Sequence, residues 1–151
     1  MKTLLDTSTR DELIARIRNV NERSAAQWGK MNVSQMLKHC TIADELYLGK
    51  TTYKQNFFGK LFGQMAMKNL LKDEKPLGRN TPTIPQLKNL ESDSNIEVDQ
   101  NRLIDSVQEY EHFSRQLIVH PFFGNMTREQ IGMMAYKHID HHLRQFNAWC
   151  F

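Results

Sequence analysis

The sequence has only two cysteines, Cys40 and Cys150, far apart and outside any Cys-x-x-Cys arrangement. That excludes a disulfide framework and a thiolate zinc site, and leaves a buried free thiol as the expectation for both. No run of roughly 18 apolar residues occurs, so no membrane-spanning helix is encoded. Met1 to Arg10 lack the apolar stretch of about 7 to 15 residues that a secretory signal needs, and a cytoplasmic protein is expected. Neither sign of charge is in excess: 20 Lys and Arg face 17 Asp and Glu, a net +3 spread along the chain. This offers nucleic acid no basic footprint, so no nucleic-acid partner is expected, and the missing span leaves no membrane partner expected either. No segment alternates as a half-buried strand would, and there is no internal repeat. A Ser, His and Asp triad order, a Gly-rich phosphate loop and an acid/base carboxylate pair are all missing, so the chain offers no mechanism of those kinds.

What is present is an ordinary globular composition, 151 residues with 40% hydrophobic and 25% charged. One domain over 1–151 with a single core is expected. Helical spacing recurs throughout. Leu13, Ile14, Ile17 and Val20 predict a helix over about 10–20, with Thr9 and Glu12 placed as a capping box. Asn32 and Gln35 repeat that arrangement ahead of Met36, Leu37, Cys40, Ala43 and Leu46, predicting a helix over 33–48 that Gly49 ends. Phe57, Phe58, Leu61, Phe62, Met65, Leu70 and Leu71 form a third stripe between Tyr53 and Asp73, which with Met67 is read as core, or as a dimer face if part of it stays uncovered. Gly59 and Gly63 interrupt it and would let another helix come close. From Glu74 to Asn95, Pro76, Gly78, Pro82 and Pro85 forbid a regular helix, and this crossover is either a plain connector or a lid over one end of the bundle. Periodicity returns over about 98–118 and again after the Thr127 and Gln130 capping box, with Ile131, Met134, Ala135, His138, Ile139 and His142 on one face.

Three histidines fall on inward faces. His138 and His142 are four apart and stack on one side of the last helix, a spacing at which two imidazoles hold one metal ion. His39 sits in the arc of Met36, Cys40, Ala43 and Leu46, so it too points into the bundle. Spacing alone leaves two readings open, a metal site or core histidines bonded to carbonyl groups. His141 would replace one of the pair if the helix were rotated. Gln35 and Gln145 are placed to hydrogen-bond ligands, Asp140 is read as a solvated acid and His112 as exposed. His120, before Pro121, is read as ordering the turn into the last helix, with catalysis as the alternative, and Trp28 with Gly29 as packing the turn between the first two helices or lining the mouth of the pocket.

The stretch from Trp28 through Asn32, Val33, Ser34 and Gln35 to His39 and Cys40, with His120-Pro121-Phe122-Phe123-Gly124 and the run from Lys137 to Phe146, resembles a branch of the DinB/YfiT-like superfamily without assigned function. The resemblance covers nearly the whole chain. It implies an all-α fold: a four-helix bundle with a long crossover loop and an additional short helix, often a homodimer. It further implies a divalent metal held by one histidine of the second helix and a His-x-x-x-His pair of the last, which here are His39, His138 and His142. The His-Leu-Arg-Gln run at 142–145 is similar to the His-Arg-Gly-Gln of better-known members, with Leu143 and Arg144 departing from it. Three imidazoles leave coordination positions open, unlike a structural zinc closed by four ligands, and imidazole does not select sharply among zinc, nickel and manganese. The implied activity is that of a metal-dependent hydrolase or thiol transferase acting on a small molecule. The alternative is a non-enzymatic, stress-related binding or dimerisation module with structural histidines.

Overall fold

The computed structural model describes residues 1–81, 87 and 95–149 of the chain. Cys150, Pro82 and Pro85 lie outside the described residues. Among the described residues the fold is mostly helical, with five α-helices, α1 Thr7–Asn19, α2 Val33–Tyr47, α3 Phe57–Leu70, α4 Ile96–Gln108 and α5 Arg128–Gln145, and a hairpin of β1 Leu117–His120 and β2 Gly124–Thr127.

Helices α2 and α5 start where their sequences say. Asn32 accepts from the Gln35 backbone N–H while Gln35 accepts from that of Asn32, and Thr127 and Gln130 repeat the exchange. Each pair satisfies two of the amide donors that a helix start leaves unpaired. The first helix begins earlier than its apolar spacing indicates, after Asp6, and the expected Thr9 and Glu12 box does not form. Arg10 is buried and donates to the carbonyls of Leu4 and Leu5 and to Thr7 Oγ1, which fixes the chain ahead of the helix instead.

Helices α1, α4, α2 and α5 close a ring in which α1 and α2 each pack against both α4 and α5. The core inside it is fully buried and comes from the periodic faces of all four: Leu13, Ile17, Met36, Leu37, Cys40, Leu103, Val107, Ile131 and Ile139. Buried polar groups cross-link it. Ser34 Oγ donates to Asp99, and Ser106 Oγ and Tyr110 Oη donate to the two oxygens of Asp44 at 3.0 and 3.2 Å.

Two expectations are corrected. The helix expected to reach 118 stops at Gln108, continues as a 3-10 turn to His112, and gives way to an antiparallel hairpin. Ile118, His120, Gly124 and Met126 face inward, and Leu117, Val119, Asn125 and Thr127 face out. Most of the α3 stripe is not core: Phe57, Phe58, Leu61, Phe62 and Met65 are exposed, Leu70 and Leu71 are partly buried against the core, and the buried side is Gly59, Gly63 and Met67. What the glycines admit is the hairpin turn and not a helix. A Cβ on Gly63 would lie 2.0 Å from the Phe122 carbonyl oxygen, and one on Gly59 would lie 2.4 Å from it.

Candidate metal centre

His39 comes from the middle of α2, His138 and His142 from successive turns of α5, and the packing of α2 on α5 brings their rings together. Ring centroids are 4.9 Å apart for His39 and His138, 4.6 Å for His39 and His142, and 4.8 Å for His138 and His142. One candidate ligand nitrogen from each lies within 4.8 Å of the others, and no carboxylate or thiolate joins the group among the described residues. His39 and His142 are buried and His138 is partly exposed.

The hydrogen bonds fix two of the three tautomers. His39 Nδ1 lies 3.2 Å from the Leu87 carbonyl oxygen, which can only accept, so Nδ1 carries the proton and Nε2 presents a lone pair. For His142 the deduction takes one more step. Gln145 Nε2 donates to the Trp28 carbonyl at 2.6 Å, which orients the amide so that its oxygen faces His142 Nδ1 at 2.9 Å. His142 Nδ1 is therefore the donor and its Nε2 a second lone pair. Gly29 keeps the amide there: its backbone is left-handed, φ +78°, and a Cβ would fall 2.7 Å from Gln145 Nε2.

His138 does not balance. Its Nε2 lies 3.0 Å from His39 Nε2, which has no proton to give, and its Nδ1 is buried without a hydrogen-bond partner. A proton on His138 Nδ1 is left unpaired and the two Nε2 lone pairs oppose each other. A proton on Nε2 joins the two rings and leaves the Nδ1 lone pair unpaired. Each arrangement leaves His138 Nδ1 unpaired, at a cost of about 1–3 kcal/mol. A divalent cation between the two Nε2 atoms would relieve the opposition of their lone pairs, with the His138 proton on Nδ1. Two nitrogens bound to one ion at about 2.0–2.1 Å sit about 3.0–3.4 Å apart, which the His39 and His138 pair already matches.

Electrostatics agree with that donor set. Burial holds the pKa of His39 below the imidazole range, burial reinforced by the surrounding imidazoles holds that of His138 well below it, and burial takes His142 down to about 3. All three rings are thus neutral at pH 7, the form that ligates.

The other sequence candidates are placed as follows. Gln145 bonds a member of the trio, as its spacing indicated. Gln35 uses its side-chain oxygen in the α2 cap. His141 is buried on the far side of His142, at a ring distance of 5.0 Å, lies 5.6 Å from the Trp28 ring, and bonds the Leu77 backbone. His120 is structural in its contacts, with Nδ1 accepting from the N–H groups of Phe122 and Phe123 at 3.1 Å each, and its pKa falls to about 4 by burial. Asp140 corrects the reading of a solvated acid: it is buried, with Arg16 Nη1 on one oxygen at 2.8 Å and Arg144 Nε on the other at 2.6 Å. Cys40 is buried beside Met36 Sδ, burial pushes its thiol pKa well up, and it is no ligand.

Several contributors carried no sequence signal. The Leu87 carbonyl belongs to the crossover, as do Leu77 and Arg79, whose guanidinium lies 4.3 Å from the centre of the Trp28 ring. Leu77, Arg79 and Leu87 of the crossover thus touch His141, Trp28 and His39. Tyr47, at the end of α2, stacks on His120 at 5.8 Å and meets the His138 ring edge-on at 6.4 Å.

No curated protein and no solved structure matches this chain. One family profile does, over residues 1–148, and its description is protein of unknown function (DUF1569).

Proposed function

Because the chain belongs to the DUF1569 family, whose description assigns no activity, function has to be argued from the site, and we propose a metal-dependent enzyme that acts on a small molecule at the centre formed by His39, His138 and His142. The observation that carries this is the meeting of three buried or half-buried imidazoles, with hydrogen bonds that leave the Nε2 lone pairs of His39 and His142 free to ligate and with His138 Nε2 3.0 Å from that of His39.

In this reading His39, His138 and His142 hold the ion, Leu87 and Gln145 hold the tautomers of His39 and His142, and Trp28 holds Gln145. A divalent ion, zinc, nickel or manganese, acts there as a Lewis acid and lowers the pKa of a coordinated water or thiol. Among the described residues the protein supplies three neutral ligands and no fourth, which leaves coordination positions for substrate. The ring of four helices, with histidines from the second helix and the last, supports the likeness to DinB/YfiT-like bundles. From that likeness comes the narrower expectation of hydrolysis or thiol transfer.

Metal content decides the matter without knowledge of the substrate. Purified protein, incubated in turn with zinc, nickel and manganese and then dialysed, is expected to retain about one equivalent of one of them by elemental analysis. His138→Ala and His142→Ala are expected to retain none while keeping the helical circular-dichroism spectrum. Wild-type protein that retains no metal from any of the three would leave the histidines as core packing and end the enzyme reading.

A further inference from the structure

Helix α3 stands outside the ring of four helices and has two opposite sides. The inner side, Gly59, Gly63 and Met67, lies against the hairpin turn, and the Gln64 side chain donates to the Phe123 and Asn125 carbonyls at 2.7 and 2.8 Å. The helix is therefore held closely, although its outer side covers nothing. On that outer side Phe57, Phe58, Leu61, Phe62 and Met65 are between 49% and 70% exposed. Val119, paired with Asn125 across the hairpin, and Leu117 add exposed apolar surface one strand away. Soluble domains seldom leave so many large apolar side chains together in water without a partner.

The charge pattern identifies the partner. Between residues 46 and 72 there are five lysines and no Asp or Glu, in a chain that otherwise mixes its charges. Lys50 is paired with Glu109, but Lys54, Lys60, Lys68 and Lys72 are exposed and make no ion pair among the described residues. Lys68 follows Leu61 by seven residues and continues the phenylalanine face beyond its apolar end, and Lys72 is exposed just past the end of the helix. A two-fold pairing of this face with itself would set lysines against lysines with no carboxylate on the segment to neutralise them. An aromatic helix face bordered by unpaired lysines is the pattern of a helix that lies in the boundary between lipid headgroups and acyl chains.

We propose that α3 is a docking surface for a bilayer rich in anionic phospholipid, its phenylalanines entering the acyl boundary and its lysines meeting the phosphates. No described helix is long and apolar enough to cross a membrane. The contact is peripheral, and the sequence expectation of no membrane partner rested on the missing span, which does not bear on a surface contact. The proposal is independent of the metal centre, because no α3 side chain enters that site.

Sedimentation with vesicles tests it. The full chain is expected to pellet with phosphatidylglycerol vesicles at about 0.05 M salt, at least about tenfold better than with phosphatidylcholine, and to lose most of that binding at about 0.5 M. Lys68→Glu combined with Lys72→Glu is expected to weaken binding at least about tenfold. Phe58→Asp combined with Phe62→Asp is expected to remove it, with little change in melting temperature because both side chains are exposed. Protein that stays in solution with phosphatidylglycerol at low salt overturns the proposal. So does a dimer in sedimentation velocity that Phe62→Asp dissociates, since the face would then be filled by a second copy.

Discussion

At Asp44 a carboxyl group is wholly enclosed by α2 and α4, and burial raises its pKa from 3.8 to about 7 even though Ser106 and Tyr110 donate to it. Desolvation outweighs two hydrogen bonds because the charged form loses all of its water. The sign of the consequence follows from proton counting: between pH 4 and 7 the folded chain keeps a proton that the unfolded chain has released. Stability from this group is complete below about pH 4 and is lost as pH rises through 7, amounting to about 4 kcal/mol. The buried imidazoles act oppositely. His142, near 3, and His120, near 4, stay neutral in the fold while the unfolded chain protonates them below about 6.5, so their contribution is lost on acidification. Comparing Asp44→Asn with wild type isolates the carboxyl. The variant is expected to be no more stable than wild type at pH 5 and more stable at pH 8, by urea midpoints. Parallel profiles for the two proteins would mean that Asp44 is ionised in the fold. Asp140, also buried, lies between Arg16 and Arg144.

Among the elements, α3 is the one whose position depends on missing side chains. With the Phe122 carbonyl 2.0 Å from where a Cβ on Gly63 would sit, Gly63→Ala sets a helix-propensity gain of about 1 kcal/mol against overpacking of about 1–3 kcal/mol on rigid backbone. The clash is expected to win, and its effect to be local, because α3 contributes only Met67 to the fully buried core. Hydrogen exchange should speed up in α3 and the hairpin of Gly63→Ala while α2 and α5 keep their protection. Undisturbed α3 amides would show that the turn yields. The same element marks the limit of what the sequence disclosed. Helices α2 and α5, which carry the candidate site, were legible because each combines a capping box with a face of constant period, and that face already contained His39, His138 and His142. Periodicity tells which side of a helix is apolar and not whether anything covers it, so the α3 stripe was read as core. The hairpin strands are four residues each, too short for alternation to stand out from helical spacing. Asp140 was misread because its partner Arg16 is 124 positions away, and the clamp on Gln145 was invisible because Trp28 is 117 away.

For the molecule as a whole, the His39, His138 and His142 centre links metal binding to stability. Its ligands come from α2 and α5, which are apart in the unfolded chain, so an ion that binds the native arrangement binds the unfolded one far more weakly. Mass action then stabilises the fold by about 2.7 kcal/mol when free metal is a hundredfold above the dissociation constant. For a chain of 151 residues that corresponds to a rise of about 5–10 °C in Tm. Chelator-treated wild type is expected to melt lower and to recover on adding back the ion it retains. His138→Ala is expected to show no response to that ion, having lost a ligand. Gln145→Ala separates positioning from ligation: all three imidazoles remain, but His142 loses the acceptor that holds its proton on Nδ1. It should therefore still respond, with the titration displaced to about 10–100-fold more metal. If His138→Ala gains as much stability from the ion as wild type, the metal is binding elsewhere on the surface, and the buried imidazoles have to be explained by packing alone.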